Sequence, residues 1–113
     1  LNLLSLKRYW KKKAKYKTMI KIIGNDIKRD GEKIGWIEGN DVRDMSNRKL
    51  GFVVGDDIRR GSDGIKIAFI EGAYIIIGSS GKKISVTENN QRHVSGGSAS
   101  NEMRAAIRLF FGD

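Results

Sequence analysis

Short apolar stretches alternate with polar residues and glycine through the middle of the chain, and the pattern returns every 15 to 17 residues. Each row of the pattern holds two apolar stretches that are long enough for a strand and too short for a helix. A polar segment rich in turn-forming residues separates the two stretches. The rows start at equivalent glycines: Gly24, Gly39, Gly55 and Gly72. The pattern therefore predicts four consecutive β-hairpins.

Each predicted hairpin has an aliphatic first strand and a return strand that carries an aromatic residue. The first strands are predicted around Ile27, Val42, Ile58 and Ile75, and the return strands over residues 34–37, 50–53, 67–70 and 84–86. Alternation along the return strand puts Trp36 on one face and Gly35 on the other. The position of Gly35 is also small in the next two rows, with Gly51 and Ala68. We therefore expect another backbone or an aromatic ring to lie close against it.

The fourth row departs from the other three, with Ser85 at the small position and Val86 in place of the aromatic residue. A hairpin of this length is not stable alone, so the four copies must share one core. The sequence predicts a mainly β fold of four hairpin repeats, arranged as petals around a pseudo-fourfold axis or as a small closed meander. The irregular fourth row suggests a candidate ligand groove formed by Tyr74, Ile76 and the loop residue His93.

The rows have the form Gly-Asn-x-Ile-x-Asp-x-x-Gly-x-x-Ile-Gly-aromatic-Ile, and residues 22–86 resemble the small bacterial four-fold β-flower proteins. The resemblance implies the petal arrangement of the hairpins. It implies no catalytic residue, because that family offers none to carry over. The first two rows match the pattern best, and the fourth row, with Ala73 and Tyr74 in place of Asn and Asp, matches it least.

The C-terminal segment, residues 98–113, has helical periodicity. Its apolar residues follow the i, i+3, i+4, i+7 rule: Met103, Ala106, Ile107 and Phe110. Ser98 or Ser100 can cap this helix, and Gly112 can end it. The apolar face needs a partner, which is either the β array or the same helix of a second subunit in a homodimer. Residues 87–97 lack apolar periodicity and are predicted to form a loop.

Positive charge is concentrated in the leader, residues 1–18. The net charge of the chain is +9, and the leader contains seven basic residues and no acidic one. Its apolar spacing allows a short basic helix, and a natural start at Met19 is an alternative to Leu1. Basic clusters with interleaved aromatic residues are typical of arms that bind nucleic acid or another polyanion. The candidates, within residues 7–17, are Arg8, Trp10, Lys11, Lys12, Lys13, Lys15 and Tyr16. The alternative is a solvated tail or a helix that covers a sheet edge.

Composition limits the chemistry that the chain can perform. It has no Cys, so disulfides and thiolate metal sites are excluded, and its one His excludes a His-based metal cluster within one chain. No apolar run approaches the ~18 residues of a membrane-spanning helix. We expect a soluble, cytoplasmic, single-domain protein without metal, cofactor or catalytic residues. It divides into the leader (1–18), the hairpin repeats (19–86), a loop (87–97) and a helix (98–113).

Charged residues also recur within the repeat. The acids are Asp26, Asp41 and Asp57, and the bases, two residues further on the same strand face, are Lys28, Arg43 and Arg59. They could bind a cation or a phosphate, but we favour turn hydrogen bonds and pairing between neighbours. The sequence favours a small non-enzymatic module that binds a protein or a small ligand. The alternatives are a nucleic-acid-binding protein that uses the leader and a small enzyme that uses these acids.

Overall fold

The computed structural model describes residues 19–112. Its strands are β1 (Ile20–Ile23), β2 (Asp26–Arg29), β3 (Glu32–Glu38), β4 (Asp41–Asp44), β5 (Lys49–Val54), β6 (Asp57–Arg60), β7 (Lys66–Glu71), β8 (Tyr74–Ile77), β9 (Lys83–Ser85) and β10 (Val94–Ser95). The helical segments are α1 (Val86–Glu88), a π-helical segment (Asn89–His93) and α2 (Asn101–Phe111). All ten strands belong to one sheet, ordered β10-β1-β2-β3-β4-β5-β6-β7-β8-β9. The prediction of a mainly β fold with a C-terminal helix is confirmed.

The four predicted hairpins are the antiparallel pairs β2–β3, β4–β5, β6–β7 and β8–β9. The glycines that start the rows have φ angles between 58° and 61°, which suits the first central residue of the two-residue turns between hairpins. Within the first hairpin, Asp30 and Gly31 have φ angles of 55° and 77°. These left-handed conformations explain why the turns are built from Gly, Asn and Asp.

Two strands lie outside the predicted hairpins. β1 precedes the first row and pairs with β2, and β10 pairs with β1 in parallel. Residues 87–97, predicted to be a loop, instead hold the end of α1, the π-helical segment and β10. The prediction missed this structure because β10 depends on pairing with β1 at the other end of the chain, and a two-residue strand has no periodicity of its own.

The sheet is an open meander, since β9 and β10 are at opposite ends of the strand order, and so it is not the closed meander that the sequence suggested. β9 ends after three residues, where the Ser85 hydroxyl accepts a hydrogen bond from the Glu88 N–H and caps α1. Residues 86–93, which connect β9 to β10, are helical and span only about 12 Å. A flat ten-stranded sheet would separate its end strands by about 43 Å. The sheet is therefore strongly curved.

α2 packs on the inner face of this sheet, where it contacts β5, β6, β7 and β10. One residue in the first strand of each hairpin is fully buried: Ile27, Val42, Ile58 and Ile75. The buried residues of α2 are Met103, Ala105, Ala106 and Ile107. The apolar face that a second subunit could have covered is thus buried within the chain. Ser100 accepts a hydrogen bond from the Met103 N–H, and Gly112 ends the helix, so the predicted cap and stop are confirmed.

Aromatic rings of α2 explain the small position of the repeat. A Cβ atom added to Gly35 would overlap the Arg43 carbonyl oxygen and lie 2.6 Å from the Phe111 Cζ atom. A Cβ atom added to Gly51 would overlap the Phe110 ring and lie 2.6 Å from the Arg59 carbonyl oxygen. The expectation of another backbone or an aromatic ring against this position is confirmed, and at Gly35 and Gly51 both are present. No helix within residues 19–112 is long and apolar enough to cross a membrane.

Candidate functional site

The sheet face opposite α2, which we call the outer face, carries the strand-borne aromatic residues. Strand alternation sends these side chains away from the core, because their neighbours Gly35, Gly51 and Ala68 point toward α2. The aromatic residues are half-buried and stand directly opposite the acids of the repeat: Trp36 opposite Asp26, Phe52 opposite Asp41, and Phe69 opposite Asp57. Ring and carboxylate are therefore neighbours in each of the first three hairpins.

A β-bulge in each of these hairpins brings a lysine to the same face. Lys33 precedes Trp36 by three residues, a spacing that puts two residues on opposite faces of a regular strand. The pairing register shifts within the hairpin, which leaves Ile34 as the extra residue. Leu50 and Ile67 are the extra residues of the second and third hairpins. The bulge thus sets each lysine beside its aromatic residue.

Each of these lysines contacts both an acid and a ring. In the second hairpin the Lys49 ammonium nitrogen lies 3.4 Å from an Asp41 carboxylate oxygen and 4.2 Å from the centre of the Phe52 ring. In the first and third hairpins the lysine–carboxylate distances are 3.1 and 3.6 Å, and the lysine–ring distances are 5.3 and 4.6 Å. We call each set a triad: Asp26, Lys33 and Trp36; Asp41, Lys49 and Phe52; and Asp57, Lys66 and Phe69.

An arginine adds a second cation to two of the triads. Arg43 lies 3.3 Å from an Asp41 carboxylate oxygen and donates to the Asn47 carbonyl at 3.0 Å. Arg59 repeats this arrangement with Asp57 at 3.2 Å and with the Gly64 carbonyl at 2.9 Å. The prediction that the repeated acids pair with neighbouring bases is confirmed for Asp41 with Arg43 and Asp57 with Arg59, whereas Asp26 pairs with Lys33.

Other acids hold the hairpin turns. The Asp44 carboxylate accepts hydrogen bonds from the Arg48 and Ser46 N–H groups at 3.0 and 2.9 Å, and the Arg48 N–H is the main cause of the lowered pKa of Asp44. The Asp63 carboxylate accepts hydrogen bonds from the Arg60 side chain, which lower the pKa of Asp63 and raise that of Arg60. These exposed contacts belong to turns, not to the outer face.

The triad acids do not converge on one point. They stand on alternate strands, so successive carboxylates are roughly 10 Å apart, whereas a bound Ca²⁺ requires oxygen ligands at about 2.3–2.6 Å. Each carboxylate lies beside a lysine instead. In the part of the chain from residue 19 to residue 112, no group of three or more His, Asp or Glu residues could hold a metal ion.

The fourth hairpin has a different register, because β8 and β9 pair without a bulge. Ser85 stands opposite Tyr74, the residue in the acid's place, so Ser85 has the position that an aromatic residue has elsewhere. Ile84 stands opposite Ile75 and therefore has the position that a small residue has in the other hairpins. The prediction that Ser85 is at the small position and Val86 at the aromatic position is wrong, because it assumed the spacing of a bulged strand.

The fourth hairpin nevertheless supplies a ring and a cation. Tyr74 is 47% exposed, and the Lys83 ammonium nitrogen lies 5.7 Å from the centre of its ring. Ile76 stands opposite Phe69, so Tyr74 and Ile76 extend the outer face beyond the third triad. His93 lies elsewhere, at the end of the π-helical segment that contacts α2 and β10. The structure brings two of the three predicted groove residues together on β8 and places the third on another element.

Basic residues outnumber acidic residues on the outer face. From strand register and alternation, the basic residues are Lys21, Lys28, Lys33, Arg43, Lys49, Arg59, Lys66 and Lys83, and the acidic residues are Asp26, Glu38, Asp41, Asp57 and Glu71. At the β1 end, Lys21, Ile23 and Lys28 line a cavity of about 430 Å³. The predicted nucleic-acid residues of the leader lie outside the described residues: Arg8, Trp10, Lys11, Lys12, Lys13, Lys15 and Tyr16.

The lysines of the triads were not identified as site residues from the sequence. Their signal was present as a Lys three residues before each aromatic residue in three rows. Its meaning depends on the bulge, because without the bulge each lysine would face the core.

Comparison with known proteins adds no assignment: no family model, no curated protein and no solved structure matches the chain. The resemblance of residues 22–86 to the four-fold β-flower proteins stays a prediction.

Proposed function

We propose that the chain is a non-enzymatic binding module whose binding surface is the outer face of the sheet. The observation that supports this proposal is the triad of acid, lysine and ring, which occurs on three successive hairpins. Core packing accounts for the repetition on the inner face, where the residues are buried against α2. Core packing does not require charged and aromatic residues to repeat on the outer face.

The rings of the triads and the arginines beside them suit a binding surface. Aromatic residues and arginine are enriched at the centres of binding interfaces, whereas lysine and aspartate are depleted there. The lysine is held by an exposed ion pair and a ring contact, and exposed pairs contribute only about 0.2–1 kcal/mol. A lysine with such weak contacts can leave its acid and ring and bind a ligand at little cost in free energy.

The arrangement favours an elongated ligand. The rings of the triads stand on β3, β5 and β7, and the Tyr74 ring stands on β8. Neighbouring strands are about 4.8 Å apart, so these rings extend over about 24 Å along the curved sheet. Because basic residues outnumber acidic residues on the outer face by eight to five, we expect an anionic ligand.

A panel of anionic probes tests the proposal: oligothymidine, heparin, poly-L-glutamate and vesicles that contain phosphatidylglycerol. We expect the full chain to bind at least one probe, and the variant Lys33→Gln, Lys49→Gln, Lys66→Gln to bind it more weakly by about tenfold or more. The control variant, Arg48→Gln, Lys82→Gln, Arg92→Gln, removes equal charge away from the outer face. The proposal is wrong if no probe binds, or if both variants lose equal affinity.

A nucleic-acid-binding protein that uses the leader is the second candidate, and the seven basic residues of the leader support it. The variant Lys11→Gln, Lys12→Gln, Lys13→Gln separates it from the outer face in the full chain. Loss of oligothymidine binding in this variant, with full binding in the outer-face variant, would favour the leader. An enzyme that uses the repeated acids has no support from the geometry, since each acid is paired and successive acids stand on alternate strands.

A further inference from the structure

We infer that the outer face binds single-stranded nucleic acid, with bases stacked on the rings of Trp36, Phe52, Phe69 and Tyr74 and phosphates paired with the neighbouring cations. The inference rests on the proposed function, since it names the ligand of the same face. It follows from the order in which rings and cations occur along the sheet.

Trp36 and Phe52 each have a cation on both sides. Phe69 has Lys66 over its ring and Ile76 opposite, and Tyr74 has Lys83 near its ring and Glu71 opposite. The triad lysine lies over the Phe52 ring, and Arg59 stands directly opposite Phe52 on the next strand. Trp36 has the same neighbours, with Lys33 over its ring and Arg43 opposite on the next strand. Around Trp36 and Phe52 the face thus alternates between flat apolar surfaces and positive charges. Single-stranded nucleic acid has the matching alternation, because every nucleotide supplies one base and one phosphate.

The other anionic ligands match this surface less well. A duplex keeps its bases stacked on one another, so they do not reach rings on a sheet. An acidic peptide or a sulfated polysaccharide supplies the charges without aromatic bases. An anionic membrane is flat, whereas this sheet is strongly curved around α2. Recognition of single strands on an open sheet by stacking on aromatic side chains is an established physical solution.

The acids of the triads give this inference a distinctive consequence. In the free protein Asp41 lies near both Lys49 and Arg43, and its ion pair with Lys49 keeps that lysine over the Phe52 ring. A base that stacks on the ring must displace the lysine, and the lysine is then free to pair with a phosphate. The carboxylate competes for the lysine and repels the phosphate. Removal of the carboxylate charge should therefore strengthen binding.

The test measures the anisotropy of fluorescein-labelled oligothymidine of about 20 nucleotides against the full chain at several KCl concentrations. We expect tighter binding of this probe than of a duplex of equal length. The variant Trp36→Leu, Phe52→Leu, Phe69→Leu should weaken binding by about tenfold or more and leave the salt slope unchanged, because it removes stacking without removing charge. The variant Lys33→Gln, Lys49→Gln, Lys66→Gln should reduce the dependence of affinity on KCl concentration, because it removes charges that pair with phosphates.

Two further variants keep the test decisive if the ring variant does not fold. Asp41→Asn, Asp57→Asn should bind the oligonucleotide more tightly than the original chain. In a Trp10→Phe background, Trp36 is the remaining tryptophan, and stacking of a base should quench its emission.

The possible outcomes separate this inference from the proposed function. Binding of heparin through the triad lysines, with oligothymidine bound no better than the duplex, overturns the inference and leaves the binding face in place. Oligonucleotide binding that depends on the leader lysines and is unchanged in the ring and Asp→Asn variants overturns it as well. Failure of every probe overturns both.

Discussion

Lys49 lies over the ring of Phe52, three residues away on the same strand, with 4.2 Å between its ammonium nitrogen and the ring centre. In a regular strand, residues three apart point to opposite faces of the sheet. The β-bulge at Leu50 adds one residue between Lys49 and Phe52, so both side chains point to the same face. The same bulge leaves Gly51 facing α2. One extra residue in each hairpin thus organises both faces of the sheet.

The ion pair of the second triad should contribute little to stability. In a double-mutant cycle of Lys49→Met and Asp41→Asn, we expect a coupling free energy of about 0.2–1 kcal/mol, because both side chains are partly exposed. Urea unfolding at low and high NaCl measures it, and the coupling should shrink at high salt. A coupling of several kcal/mol would show that the triads stabilise the fold, which would weaken the argument that they serve binding.

Close packing of Gly51 against Phe110 predicts a large effect of a single methyl group. Gly51→Ala should destabilise the protein by about 1–3 kcal/mol, since the new Cβ atom overlaps the ring and lies 2.6 Å from the Arg59 carbonyl oxygen. Gly78→Ala is the milder control, because its Cβ atom would meet only backbone atoms of Ile67, the nearest being the carbonyl oxygen at 3.1 Å. Denaturant midpoints compare the two variants. The packing described for α2 is incorrect if Gly51→Ala is no more destabilising than Gly78→Ala.

The two serines before α2 should differ in their effect on stability. The Ser100 hydroxyl accepts a hydrogen bond from the Met103 N–H at 3.1 Å, so Ser100→Ala should cost about 1 kcal/mol. Ser98 is exposed and precedes the cap, so Ser98→Ala should change the free energy of unfolding by less than about 0.5 kcal/mol. Thermal unfolding followed by circular dichroism distinguishes them, and equal effects would refute the assignment of the cap.

The lowered pKa of Asp44 predicts a loss of stability in acid. A carboxylate whose folded pKa lies below its ordinary value of 3.8 stabilises the fold at higher pH. This contribution is lost as the pH falls through the folded pKa. Asp44→Asn should therefore be less stable than the original chain at neutral pH, and the two should converge below about pH 4. Urea unfolding across this range measures the difference, and a constant difference would contradict the expected linkage.

Local signals were sufficient to predict the hairpins and the helix from the sequence. Gly24 and its equivalents mark turns that require a left-handed residue, and Ser100 and Gly112 mark the ends of α2. The small residue at Gly51 correctly predicted another backbone or a ring against the strand, and both are present. These features depend on neighbouring residues or on one face of one strand.

Features that depend on pairing between distant segments could not be predicted in the same way. Val94 is fully buried because β10 pairs with β1, which is more than 70 residues away. The bulge at Ile34 and the absence of a bulge before Ile84 are properties of strand pairs, and a row of sequence does not reveal them. For this reason the triads, the candidate site, emerged only from the structure.

The order of the hairpins before α2 along the chain has a consequence for synthesis. The hairpins are local and can form as they leave the ribosome, but their buried side chains have no cover until α2 follows. Until then the inner surfaces of Ile27, Val42, Ile58 and Ile75 stay open to water and to other nascent chains. A chain truncated before residue 98 would expose this whole apolar surface and would be prone to aggregation, because the residues that cover it are made after the sheet.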